Sequence, residues 1–137
     1  MANHPITVQV QISANKEKVW QYWTLPEHIV QWNFATDAWC CPTAYNELEP
    51  FGKFSWRMEA KDGSMGFDYS GTYTSIQPQA SIHWTLDDGR KVSMTFTDLG
   101  DSTEVVETFE PDDNDVELQR QGWQAILNNF KQYVESK

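Results

Sequence analysis

The chain has 137 residues, with 20 Asp and Glu against 10 Lys and Arg, for a formal net charge of −10. That length suits one domain, spanning residues 1–137, with a core of its own; the charge repels phosphate backbones and anionic membrane surfaces, so neither nucleic acid nor membrane is an expected partner. No apolar run approaches the ~20 residues that span a bilayer, and Met1-Ala2-Asn3-His4-Pro5 has neither the basic nor the apolar part of a signal peptide, so the expected location is the cytoplasm.

Ile6, Val8, Val10 and Ile12 alternate with Thr7, Gln9 and Gln11, which predicts a half-buried strand near residues 5–12. Ser13 or Asn15 then opens a helix near 15–23 that carries Val19, Trp20 and Trp23 on one face. Thr24-Leu25-Pro26-Glu27 reads as a capping box with proline in the first turn, starting a second short helix near 26–31. Phe34, Trp39 and Tyr45 follow in a segment that is part loop and part strand, with the strand near 38–48. Cys40 and Cys41 are adjacent; a disulfide between neighbours is strained, so one thiol is expected to pack inward and the other to point outward. His4, His28 and His83 have no zinc-like spacing, and no metal or cofactor is expected.

Period-two alternation from Tyr45 to Glu110 predicts further strands near 52–61, 65–76, 80–86, 91–98 and 103–110. Turn chemistry sets their register. A two-residue type I′ turn at Asp62-Gly63 pairs Met58 with Phe67, Trp56 with Tyr69 and Phe54 with Gly71, and sets Arg57 against Asp68 on the other face. At the second hairpin a two-residue turn would put Val92 on the wrong face. A three-residue loop, Asp87-Asp88-Gly89, instead pairs Trp84 with Val92 and Ile82 with Met94. A type II′ turn at Gly100-Asp101 pairs Phe96 with Val105, Met94 with Glu107 and Val92 with Phe109, which places the Glu107 carboxyl on the core face.

From Asn114 to Val134 the period changes to helical: Leu118, Trp123, Ile126, Leu127, Phe130 and Val134 are read as one stripe. Asn114 with Glu117 fits a capping box, and the acidic run Asp112-Asp113-Asn114-Asp115 suits a helix amino terminus. Gly122 inside this helix suggests close backbone approach or space left beside it. A single long helix must bury its stripe against the sheet. The expected class is therefore α+β: a curved antiparallel sheet of six to seven strands wrapped around a long carboxy-terminal helix, with two short helices after the first strand.

Several stretches, in this order, carry a family resemblance over nearly the whole chain. They are Val19-Trp20, Trp32-Asn33, Asn46-Glu47-Leu48 leading to Gly52-Lys53-Phe54, Arg57-Met58-Glu59-Ala60, Gly66-Phe67-Asp68, Gly71-Thr72-Tyr73, and Gln121-Gly122-Trp123-Gln124 with Ile126-Leu127 and Phe130. The chain resembles the helix-grip fold of the START and birch-pollen-allergen superfamily (SRPBCC), and within it the branch of activators of heat-shock-protein-90 ATPase. That branch usually has paired glycines before the third strand, and here Phe51 stands in the first place. The resemblance implies a sheet curled around the long helix, often with an apolar cavity between them. It does not imply one activity: lipid carriers, plant ligand binders, aromatic polyketide cyclases and co-chaperone domains share the fold.

The inward aromatics Trp56, Phe67, Tyr69, Tyr73, Trp84, Phe96 and Trp123, with Met94, Leu127 and Glu107, are the candidate cavity lining, with solid packing as the alternative. Gly71 and Gly122, on facing elements, leave room for a cavity. Glu107 is the one candidate catalytic group, as a general acid or base, against a structural carboxyl at the rim or one bonded to a tyrosine or tryptophan tip. His28 either looks toward the cavity mouth or lies exposed on its helix, and His83 falls on the solvent face. The leading expectation is non-catalytic binding of a small, largely apolar molecule. A cyclase- or lyase-type enzyme using Glu107 with Tyr69 or His28, and a co-chaperone-like interaction module, are the rivals; the second rival is disfavoured because the activator resembled has an additional amino-terminal domain. Ligand identity and oligomeric state, including a homodimer, are left open.

Overall fold

Strand β1 (Ile6–Ile12) leads into helices α1 (Lys16–Thr24) and α2 (Pro26–Trp32), two short strands β2 (Trp39–Cys40) and β3 (Ala44–Asn46), the meander β4 (Lys53–Ala60), β5 (Gly66–Gln77), β6 (Ser81–Leu86), β7 (Lys91–Asp98) and β8 (Thr103–Phe109), and the long helix α3 (Val116–Glu135). The structure, a computed structural model, describes residues 4–137, so residues 1–3 of the amino-terminal segment considered above lie outside the described residues. The antiparallel sheet runs β1-β8-β7-β6-β5-β4, with β2 and β3 both paired to the outer side of β4. The strand expected over 38–48 is thus broken into two pieces, β2 and β3, around Cys41-Pro42-Thr43, where Pro42 offers no N–H to the ladder. Seven strand positions result, and the curled sheet holds α3 against its inner face.

All three predicted registers are present: Met58 opposite Phe67, Trp84 opposite Val92, and Met94 opposite Glu107. The first turn differs in type. Only Gly63 has positive φ (80°), Gly63 N–H donates to the Ala60 carbonyl (3.0 Å), and Asp62 Oδ1 accepts from Ser64 N–H (2.8 Å). A four-residue loop built on an ordinary type I turn preserves the same pairing as a two-residue type I′ turn, since two residues are added symmetrically. The second loop is the predicted one, with Gly89 left-handed (φ 94°) and Leu86 paired to Arg90. Within β5 the register shifts between Tyr73 and Ser75, so that Tyr73 and Ile76 both face inward; an extra residue at Thr74 absorbs the break in period.

Two of the three helix caps differ from those expected. Asn15 caps α1 as expected, accepting from Lys18 N–H (2.8 Å). Thr24 does not open α2; it closes α1, and its hydroxyl donates back to the Trp20 carbonyl (2.8 Å) while Leu25 sits at the α2 cap without a side-chain bond. At α3 the cap is Asp115, not Asn114: Asp115 Oδ1 accepts from Leu118 N–H (3.0 Å), and Asn114 N–H is held by Asp112. Leu118 is 66 % exposed, because five residues before Trp123 is about 140° around a helix at 3.6 residues per turn, off the buried stripe.

The core is aromatic. Trp23 and Trp32 stack at 4.5 Å, Phe130 meets them edge-on at 5.1 and 4.8 Å, and Trp56 closes the group at 6.1 and 6.0 Å. Asn129 Nδ2 donates to the Trp32 carbonyl (2.8 Å), tying α3 to the end of α2. On the other side of the sheet edge, the Tyr73 hydroxyl donates to Asn46 Oδ1, and Asn46 Nδ2 donates to the Thr24 carbonyl (2.7 Å). Phe51 adopts a left-handed backbone (φ 67°) where the resemblance leads one to expect glycine, with its ring 81 % exposed and its N–H donated to the Tyr73 carbonyl (2.8 Å). The turn geometry therefore survives the substitution, at a strain of roughly 1–2 kcal/mol for a residue with a Cβ.

Candidate functional site

Between the inner face of the sheet and α3 lies a cavity of about 260 Å³. Met58 of β4, Phe67 and Tyr69 of β5 and Glu107 of β8 form its sheet side; Gln119, Trp123 and Ile126 form its helix side. Trp23 of α1 and Asn33, just after α2, close one end, and Arg90 and Asp112 come from the loops before β7 and α3. For scale, roughly 150 Å³ holds a benzene ring, so the space suits one ring system with a short substituent.

Of the ten residues expected to line a cavity, Phe67, Tyr69, Glu107 and Trp123 do so. Phe67 is 48 % exposed and stands at the mouth with its ring edge-on to Trp39 at 6.0 Å, so it is not the fully inward residue expected. Trp56, Tyr73, Trp84, Met94, Phe96 and Leu127 do not line this cavity; they are buried core. Strand parity assigns Trp56, Tyr73, Trp84, Met94 and Phe96 to the inner face but not to a position along the curled sheet, and Leu127 is a buried core position of α3 itself. Trp84 Nε1 donates to the Tyr69 hydroxyl (3.1 Å), whereas Trp56 Nε1 is buried without a hydrogen-bond partner.

The two glycines read as leaving room behave differently. A Cβ on Gly71 would lie 2.3 Å from the Thr85 carbonyl oxygen, so that glycine permits close strand approach and leaves no space. A Cβ on Gly122 would meet nothing within 4 Å, so no close approach explains it.

Seven lining residues were not among the expected ten. Met58 and Ile126 were legible: Met58 was already paired with Phe67, and Ile126 sits one turn from Trp123 on the stripe. Trp23 was marked only as part of the apolar face of α1, and Asn33, Arg90, Asp112 and Gln119 carry no spacing signal, because their approach to the sheet depends on the curl.

Glu107 is the electrostatic centre of the site. It is 4 % exposed, sits between Val8 of β1 and Met94 of β7, and its carboxyl makes no hydrogen bond or ion pair with any described residue. Burial pushes it up to about 8. The cationic side chain on the cavity wall is already engaged: Arg90 Nε contacts Asp88 at 2.8 Å and its Nη1 contacts Asp112 at 3.8 Å. Tyr69's phenol is held well above its usual range, first by burial and then by the Glu107 charge. Asn33 is buried, with Nδ2 directed at Met58 Sδ (3.0 Å) and Cys41 Sγ (3.7 Å). Trp123 lies flat on Phe109, ring centroids 3.9 Å apart, and edge-on to Tyr69 at 6.0 Å, which fixes the wall above Glu107.

The other candidates lie elsewhere. His28 does neither of the things expected of it: it is half-buried away from the cavity, stacked on Tyr22 at 4.0 Å with Nδ1 2.7 Å from the Tyr133 hydroxyl. His83 is exposed, as its parity required. Cys41 is buried and Cys40 half-buried, both as free thiols. Among the described residues no helix is long and apolar enough to cross a membrane.

Residues 13–135 match the family described as Activator of Hsp90 ATPase homolog 1-like protein. Among solved structures, a protein from Cytophaga hutchinsonii is 49 % identical with a TM-score of 0.83, over 96 % of this chain and 92 % of that one. An AHSA1-like protein from Aeromonas hydrophila is 38 % identical with a TM-score of 0.89, over 97 % and 93 %. A protein from Chromobacterium violaceum shares the fold at 20 % identity, with a TM-score of 0.87 over 97 % and 99 %. No curated protein matches the sequence.

Proposed function

The chain belongs to the family of activator of Hsp90 ATPase homolog 1-like proteins, and on that premise we propose that it binds a small, largely apolar molecule in the cavity between the sheet and α3. The fold is one that commonly binds hydrophobic ligands. The observation that carries the reading is the unpartnered Glu107 carboxyl on the wall of a space faced mainly by Trp23, Met58, Phe67, Tyr69, Trp123 and Ile126, with Asn33, Arg90, Asp112 and Gln119 completing the lining. A buried carboxyl without a partner costs stability that an apolar residue would not. Its presence is accounted for when a ligand supplies the missing partner. The same group does not make an acid–base pair, since no second titratable side chain is hydrogen-bonded to it among the described residues, and binding is favoured over proton transfer for that reason. The two free thiols suit a reducing compartment, and a cytoplasmic location is part of the proposal.

Replacing Ile126, on the helix side of the cavity, by tryptophan tests this directly. Indole should bind the wild type in a calorimetric titration and bind Ile126→Trp at least tenfold more weakly, while the variant loses less than the ~1–3 kcal/mol expected for overpacking a solid core. Indole affinity unchanged by the substitution, or no indole binding by the wild type, would count against the cavity as the binding site.

A further inference from the structure

We propose that the ligand is an organic ammonium ion, an aromatic or apolar body bearing a protonated amine, with Glu107 as its counter-ion. This rests on the cavity being a binding site and names the chemistry it selects. Three observations converge on a cation. The first is the charge balance of the walls: the only guanidinium on them, Arg90, is held in ion pairs by Asp88 and Asp112, while the Glu107 carboxyl has no partner among the described residues. The second is the aromatic surround. Trp23, Phe67, Tyr69 and Trp123 line the space, and an ammonium group seated over such a ring is attracted by it, most strongly where water is excluded. The third is the field of the whole chain, −10 overall, which draws cations inward and repels carboxylates and phosphates. A neutral ligand gains from the apolar walls but leaves the carboxylate unmatched.

The proposal predicts proton release. An ammonium ion pairs with the ionised carboxylate, so below the folded-state value of about 8 a proton must leave Glu107 on binding. The groups facing Glu107 across the cavity are the Tyr69 hydroxyl from β5, Arg90 before β7, and Asp112 before α3; α1, α2 and α3 contribute only uncharged Trp23, Asn33, Gln119, Trp123 and Ile126. Affinity for an amine should therefore rise with pH by up to about tenfold per unit between pH 6 and 8 and then level off.

The decisive experiment compares 2-phenylethylamine with its neutral counterpart 2-phenylethanol by calorimetry, at pH 6, 7 and 8.5, on the wild type and on Glu107→Gln. At pH 8.5 the amine should bind the wild type roughly tenfold or more tighter than the alcohol. The preference should vanish in Glu107→Gln, and a cooperative thermal melt of the variant reports that it is folded. Should that variant not fold, the wild-type preference and its pH dependence decide alone. Alcohol binding equal to or tighter than the amine at pH 8.5, or an amine preference that survives in Glu107→Gln, overturns the ammonium assignment and leaves cavity binding standing. Failure of amine, alcohol and indole alike overturns both.

Discussion

Phe130→Ala should destabilise the protein by ~3–5 kcal/mol in chemical denaturation, the cost of emptying a large aromatic site in a closed core. Phe130 has no exposure and meets Trp23 and Trp32 edge-on at 5.1 and 4.8 Å, so its ring joins α3 to both short helices at once. Trp23 and Trp32 are stacked on each other and each is edge-on to Trp56, which leaves no flexible neighbour to collapse into the gap. The matched control is Leu118→Ala, on the exposed flank of the same helix, which should change stability by no more than ~0.5 kcal/mol. A loss below ~1 kcal/mol for Phe130→Ala would mean that α3 is not held by this cluster.

Glu107 makes stability depend on pH in a predictable direction. Its folded-state value, about 8, lies above the ordinary carboxylate value of 4.5, so between those limits the folded state holds a proton that the unfolded state has released. Stability contributed by the neutral form is complete below 4.5 and is lost as pH rises toward 8, at no more than about 1.4 kcal/mol per unit. Glu107→Gln removes this dependence, so thermal or urea melts between pH 5 and 8.5 should show the wild type falling relative to the variant with rising pH. The other carboxylates are common to both proteins and cancel in the comparison. Parallel profiles would show that Glu107 is solvated or paired in the folded protein.

The registers were legible because two independent constraints agreed: the turn residues limit loop length, and a shift of one residue would turn every apolar side chain outward. The three-residue loop at Asp87-Asp88-Gly89 satisfies both constraints, and Val92 faces the core as it requires. The same logic places Glu107 on the core face, where it lies. It did not reveal the bulge at Thr74, where the chain inserts a residue without a glycine to mark it, nor the break of the 38–48 strand at Cys41-Pro42-Thr43. The cavity was only partly legible. Parity identified Tyr69 and Glu107 on its sheet side, but the difference between Tyr69, which borders open space, and Tyr73, which is buried core, is set by where α1, α2 and α3 cross the curl. Arg90 and Asp112 were beyond reach for the same reason, since loops converge only once the sheet has closed.

A ligand seated between sheet and helix places its polar end at Glu107. Intermolecular nuclear Overhauser effects between 2-phenylethylamine and the labelled protein at pH 8.5 measure this most directly. The prediction is contacts from the ring to Met58, Trp123 and Ile126, with the methylene beside nitrogen close to the Glu107 side chain. Contacts confined to the outer sheet face or to the exposed Tyr45 and Phe51 rings, with none to Trp123, Ile126 or Glu107, would contradict it.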